Sequence, residues 1–405
     1  MSALSNQVYR SLFAAQVIAL TGTGLATVAL GLLAHDLAGA GAGVVLGVVL
    51  AVKMTANVVV APLAAALVDR VPRRALLVSL DLVRAAAALA MPWVGQVWQV
   101  VALVLVLQVA SAAFTPAYQA VIPAVLPDED DYTRALSLSR LAYDTESALT
   151  PVLAAALLAV VPFSGLFAGT ALGFLASAAL VLRLRLPAQA SSPECFRRRA
   201  LAGTGDYLRT PAVRAQLGLN LAASAAGAVV LVNTVVVVRD GLGLGDSAVA
   251  IALAAFGAGS ALAALALPRL LRGVADRTVM TGAAGGLAVV LGIGAAALAV
   301  RLDWASVLVL WVLIGVGYST VLTPVGRVLR ASSDARRLPG LFAAHYSLSH
   351  AEWLVTYLLA GVLVAELGLP AALAVLGAVA AAGCAYGLRT WRQATAPGPL
   401  ALSGR

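Results

Sequence analysis

Ionisable side chains inside long apolar runs are the residues of this chain with chemistry to offer. Lys53 stands mid-run with Asn57 one helical turn on, and Asp144 and Glu146 share another run. The stretch HYSLSHAEWLVTY, His345 to Tyr357, holds two of the three histidines, His345 and His350, together with Glu352. A charge in hydrocarbon costs about 3 kcal/mol on insertion scales, so a span keeps one only when it is paired or lines an aqueous path. Imidazole and carboxylate together suit a borderline divalent metal. A ligating carboxylate must also shed its proton, so metal and proton exclude each other there.

Spacing sorts these candidates. Asp144 follows Arg140 by four residues, the spacing of a helix-face ion pair. Residues two apart on a helix point about 200° away from each other, so of Asp144 and Glu146 one is structural and one faces a cavity, and spacing leaves open which. His345 and Glu352 share a face about 10 Å apart along the axis, too far to hold one ion unaided. His350 could share an ion with Tyr346 or Ser347. Neutral oxygens to complete a shell are available at Asn220, Asn233, Gln16 and Thr27.

The elements that position these groups follow from hydropathy. Of 405 residues 61% are hydrophobic and 11% charged, with a mean hydropathy of +0.96, a balance that needs lipid as solvent. A span takes about 20 apolar residues. Runs lie at 10–34, 43–67, 75–94, 99–123, 136–160 and 164–184, then, after a polar stretch, at 215–238, 247–268, 279–300, 304–325, 341–365 and 370–388. They lack two-residue alternation, so helices rather than a barrel are expected. The predicted fold is an all-α membrane protein of twelve transmembrane helices in two six-helix bundles. Its parts are an N-terminal bundle over 1–186, a cytoplasmic central loop over 187–214, a C-terminal bundle over 215–389 and a cytoplasmic tail over 390–405.

Arginines decide the expected orientation. With both termini inside, Arg70, Arg73, Arg74, Arg134, Arg197, Arg198, Arg199, Arg269, Arg272, Arg277, Arg327, Arg330, Arg336, Arg337, Arg389 and Arg392 fall on the cytoplasmic side, and Arg239 and Arg301 outside. The formal charge of +9 is therefore spread over loops rather than gathered on a nucleic-acid face. Trp93, Trp98 and Trp304 fall near outer boundaries as interfacial anchors. Localisation is expected in the plasma (inner) membrane as a multi-pass protein whose first helix is retained.

The halves echo each other. Asp69-Arg70 and Asp276-Arg277 are offset by 207 residues (276 − 69), and Thr115-Pro116 and Thr323-Pro324 by 208 (323 − 115). A six-plus-six repeat suits two bundles rocking about a midplane site. The same offset sets His350 and Glu352 against Asp144 and Glu146, so the richest polar clusters occupy pseudo-symmetric positions.

VDRVPRR, Val68 to Arg74, follows the second run. It resembles the signature loop Gly-x-x-x-Asp-Arg-x-Gly-Arg-Arg of the major facilitator superfamily, with Asp69, Arg70, Arg73 and Arg74 matching and Ala65 and Pro72 at the glycine positions. The resemblance implies a major facilitator fold and a conformational latch of Asp69, Arg70, Arg73 and Arg74, which Asp81 and Arg84 in the third span would join; an ordinary ion pair between those two is equally compatible.

Three segments, LTGTGLATVALGLLAHDLAG (Leu20 to Gly39), YTRALSLSRLAYD (Tyr132 to Asp144) and HYSLSHAEWLVTY, resemble the NreB-type nickel and cobalt resistance exporters, distant relatives of the ferroportins. What this implies is export of a divalent cation in exchange for protons, with His350 and its neighbours as ligands. The chain departs from that family at Glu352, where a cysteine is expected, and in a tail without histidines.

The expected metal-binding set is thus His350, Glu352, His345, Glu146, Asp144 and Asn220, with Glu146 and Glu352 as proton carriers. No cofactor is expected: the metal is cargo and the proton gradient the energy source. Partners are membrane lipid and a small solute, with no nucleic acid, and the functional unit is expected to be a monomer. The alternative is a proton-coupled exporter of a hydrophobic drug or siderophore-like compound, although Thr150-Pro151 followed by Ala154 departs from the drug antiporters' glycine-rich pattern. There is no phosphate-binding GxxxxGK[ST] motif and no nucleophile-base-acid set, so an enzyme is not expected.

Overall fold

A computed structural model describes residues 3–38, 49, 52–60, 63, 71–158, 160–187, 196–334 and 336–395. Among them the structure is helical throughout, without strands. The helices are α1 (Gln7–Ala38), α2 (52–60), α3 (Arg73–Ala90), α4 (Val97–Val125), α5 (Glu129–Leu158), α6 (Phe163–Leu182), α7 (Phe196–Arg209), α8 (Pro211–Val236), α9 (Asp246–Gly273), α10 (Asp276–Val300), α11 (Trp304–Leu322), α12 (Val325–Ala331) and α13 (Leu338–Thr395).

Caps and breakers in the sequence account for the boundaries. Asn6 Oδ1 accepts from the Val8 and Tyr9 amides and starts α1. The acidic run Asp128 to Asp131 is a helix start: Asp128 Oδ1 accepts from the Asp131 amide, and the acids that follow sit at the positive end of α5. Gly368 has φ 79°, ψ 168° and breaks α13, with Pro370 opening the helix beyond it. Only glycine adopts that backbone without strain. Thr323-Pro324 separates α11 from α12, whereas its repeat partner Thr115-Pro116 lies within an uninterrupted α4.

Nine helices among the described residues are long and apolar enough to cross a membrane, the last being the 56-residue stretch that Gly368 divides in two. With the 30-residue α5, whose acids lower its hydropathy, and the described part of the second run, this is consistent with twelve spans. Trp93 and Trp98, at the α3–α4 turn, are 80% and 65% exposed, as interfacial indoles are.

The chain divides into two compact units, Met1–Thr204 with Ser333–Ala351, and Gly205–Ser332 with Glu352–Arg405. In the first, α1 packs on α6, α5 and α4, and α3 on α6 and α4. The Thr170 hydroxyl donates to the Gly22 carbonyl at 2.9 Å, and the absence of a side chain at Gly22 and Gly173 brings α1 and α6 together. In the second unit, α11 packs on α9, α10 and α8. Small residues do the same work here: a Cβ at Gly218 or Gly383 would strike the other's carbonyl, the close approach that holds helices together in lipid.

Candidate functional site

The first unit carries two differently built carboxylates on α5. Asp144 is paired with Arg140 one turn back, Nη2 to Oδ1 at 2.5 Å and Nε to Oδ2 at 3.3 Å. Glu146 points elsewhere. Its Oε1 accepts only a long bond from the Thr150 hydroxyl, at 3.4 Å, and it lines a cavity of about 310 Å³. Phe13, Val17 and Thr21 of α1 form one wall, and Leu138, Leu141, Thr145 and Leu153 of α5 the other. Gly24 makes room for it, since a Cβ there would sit 2.5 Å from Glu146 Oε1 and closer still to Thr150.

Lys53 of α2 is half-buried in the same unit. One turn on, buried Asn57 accepts from the Tyr346 hydroxyl at 3.3 Å, and the Val58 carbonyl accepts from Ser347. These contacts place the segment 338–351 of α13 in the first unit. His350 lies against Tyr346 at a tilt, centroids 4.1 Å and planes 38° apart, with Nδ1 2.7 Å from the Tyr346 carbonyl oxygen. A carbonyl only accepts, so Nδ1 carries a proton, and in the neutral ring Nε2 keeps its lone pair. His345 is half-buried.

Asp81 and Arg84 pair with each other inside the helix bundle. Asp81 Oδ2 accepts from the Ser177 hydroxyl of α6 at 2.8 Å, and the Arg84 guanidinium lies over Phe114 (4.1 Å) and Phe174 (4.5 Å). Both are buried, at 0% and 4% exposure, whereas Arg74 in the first turn of α3 is exposed. Asp69 and Arg70 lie outside the described residues, and Arg73 is half-buried at the start of α3. Gln16 is a hub rather than a free oxygen: its Oε1 accepts from the Tyr118 and Ser139 hydroxyls, each at 3.1 Å.

In the second unit Asn220 of α8, 3% exposed, donates to Glu352 Oε2 at 2.5 Å. Next to Glu352 in sequence, Trp353 meets Tyr318 edge-on at 5.7 Å and Tyr357 at 4.9 Å. Asn233 serves the Ala360 carbonyl at 3.2 Å. At the start of α10, Asp276 takes Arg327 of α12 through both oxygens, at 3.0 and 3.2 Å. Sequence reasoning passed over this pair. Its signal is Arg327 standing three residues after the repeated Thr-Pro, where the first half has Gln119.

The five acids just described therefore fall into two groups. Asp81, Asp144 and Asp276 each hold an arginine. Glu146 and Glu352 have, among the described residues, no ion pair within 4.0 Å. No three of His, Cys, Asp and Glu come together there as a ready metal-binding group.

The sequence profile of the Major Facilitator Superfamily matches residues 12–291. This chain belongs to that superfamily. Its members are transporters, so the chain is an integral membrane transporter and not an enzyme. No curated protein matches it in sequence. Among solved structures it resembles the human organic anion transporter MFSD10 (TETRAN), with TM-score 0.78 and 14% identity over 94% of this chain and 98% of that one. It resembles equally a bacterial homologue of the iron transporter ferroportin in an outward-facing state, with TM-score 0.78 and 15% identity over 95% and 99%. At these identities the likeness is one of fold.

Proposed function

We propose that this superfamily member is a secondary active transporter that works by alternating access and exports a divalent transition metal of the nickel or cobalt kind in exchange for protons. The observation that carries the reading is the sorting of those five acids: three hold arginine, while Glu146 and Glu352, without an ion pair among the described residues, remain to take up and release a cation. His350 adds a ligand atom. A metal-binding imidazole ordinarily donates its other N–H to a carbonyl or carboxylate, which is the setting Tyr346 provides. Transport asks for a transient shell rather than a resting chelate, and the resemblance of the α13 segment to nickel and cobalt exporters, with a ferroportin homologue sharing the fold, supports the same cargo. Residues 1–186 and 215–389 would be the two moving bundles, in a plasma-membrane monomer with both termini cytoplasmic.

A second reading has its own observation. The cavity between α1 and α5 is walled by apolar side chains around one carboxylate, which fits an amphipathic organic cation.

The test is uptake of Ni²⁺ and Co²⁺ into everted vesicles under an imposed proton gradient, for the parent, His350→Ala and Glu352→Gln. Saturable, gradient-driven uptake in the parent and its loss in either variant is expected. No uptake by folded, inserted parent protein, with Glu146-dependent uptake of a lipophilic phosphonium cation instead, overturns the metal reading in favour of the second.

A further inference from the structure

The second unit carries a basic corner that the transport reading leaves unused. Beyond Gly368, positions 374, 378, 381, 385, 389 and 392 of α13 recur at helical spacing and are all exposed. The first four are alanines and the last two are Arg389 and Arg392, so one face of the helix is apolar until its end and cationic there. An exposed apolar face on a membrane span is solvated by acyl chains, and arginine at its end sits level with the headgroups.

The end of α13 is tied to the α7–α8 junction within the same unit. Arg214, in the first turn of α8, donates to Gln393 Oε1 at 2.9 Å and to the Leu208 carbonyl at 3.4 Å. Gln393 stands one turn after Arg389, and Leu208 precedes Arg209, so Arg209, Arg214 and Arg389 gather at one corner. Among the described residues none of the three has a carboxylate within 4.0 Å, and Asp206, three residues before Arg209, does not pair with it. Arg209 and Arg389 are exposed. Beside them, Leu208 is 42% and Tyr386 44% exposed. The Tyr386 ring rests on bare Gly218 of α8, where a Cβ would stand 2.9 Å from it.

We propose that this corner binds the phosphate of an anionic phospholipid, whose acyl chain lies along the alanine face of α13. Guanidinium groups without a carboxylate partner match a phosphate in charge and in donor geometry. A free phosphate would be drawn by the same groups, but the apolar face that leads into them has a use only for a lipid. The bound headgroup bridges the α7–α8 junction and the end of α13, and so stabilises the unit. Calling its leaflet cytoplasmic rests on the orientation read from the arginines; the site itself does not, and it is independent of the cargo.

The test uses the full-length chain, stripped of lipid in detergent, with the thermal midpoint followed as phosphatidylglycerol is added, since a ligand of the folded state raises it. Phosphatidylglycerol is expected to raise the midpoint more than phosphatidylcholine, and the excess to disappear at about 0.5 M salt. Arg209→Gln and Arg389→Gln should each weaken the apparent affinity about fivefold, the usual contribution of one basic side chain at an anionic surface. Arg301→Gln, at the opposite end of the spans, should keep the parental affinity. Equal shifts with the two lipids overturn recognition of charge. Parental affinity in both Arg209→Gln and Arg389→Gln, or an equal loss in Arg301→Gln, overturns the site. Inorganic phosphate that reproduces the shift overturns the lipid in favour of a soluble anion.

Discussion

Glu146 in the first unit and Glu352 in the second are the same side chain in two opposite settings. Glu146 borders open space and holds one long hydroxyl bond. Glu352 is gripped at 2.5 Å by the buried amide of Asn220. A carboxylate facing a cavity is built to exchange partners. One held closely by a neutral donor is built to change by a proton, the smallest partner available. On this view the two carriers assigned the same role divide it, with cargo exchange at Glu146 and protonation at Glu352.

The largest effect should come from filling the space that makes Glu146 different. Gly24→Ala places a methyl group against Thr150 and Glu146. It should cost about 1 to 3 kcal/mol, the usual penalty for overpacking, and abolish uptake, as read by thermal unfolding and the vesicle assay. Full activity would mean that Glu146 does not need its present position. Next comes the grip on Glu352: Asn220→Ala leaves the acid without its donor and should cost about 1 to 3 kcal/mol, with the proton dependence of transport shifted. Thr150→Val removes only a 3.4 Å bond from Glu146 and should cost under about 1 kcal/mol. If Thr150→Val proves as damaging as Asn220→Ala, the contrast between the two acids fails.

The smallest effect belongs to an ordinary acid that provides a baseline for both. Asp303 caps α11, its oxygens accepting from the Ser306 amide at 3.1 Å and hydroxyl at 2.6 Å. The Ser306 hydroxyl, then its amide, hold the carboxyl below the usual carboxylate range. A group whose folded value is depressed stabilises the fold above its unfolded value of about 4 and loses that contribution as pH falls through the folded value. Asp303→Ala should therefore lower the unfolding midpoint slightly at neutral pH, and the difference from the parent should close in acid. A gap that persists well below pH 4 would refute the sign.

Much of the site could be read from residue order because its logic is local. Arg140 and Asp144 meet because four residues make a helical turn, and the acids after Asp128 mark the start of α5 for the same reason. Asp81 and Arg84 also pair as their spacing permits, but which way the pair faces is not local. Ser177, Phe114 and Phe174 turn it into the bundle, and they come from helices α6 and α4. Gln16 looked like a spare ligand and is instead saturated by Tyr118 and Ser139. Asn233 is committed to the Ala360 carbonyl. Hydrogen-bond capacity is visible in a sequence, whereas its prior use by a distant partner is not.

Composition and periodicity by themselves determined the membrane, the helices and the short list of expensive intramembrane charges, because the cost of burying a polar group in lipid applies residue by residue. The caps, the break at Gly368 and the Arg140–Asp144 pair belong to that same class of short-range constraint. Only the tertiary structure decided that Glu146 opens on a cavity because Gly24 is bare, that Asn220 rather than a cation holds Glu352, and that Asn57 meets Tyr346. Each of those facts joins helices far apart in the chain, and the packing of their surfaces, not the spacing along any one of them, selects which side chains meet.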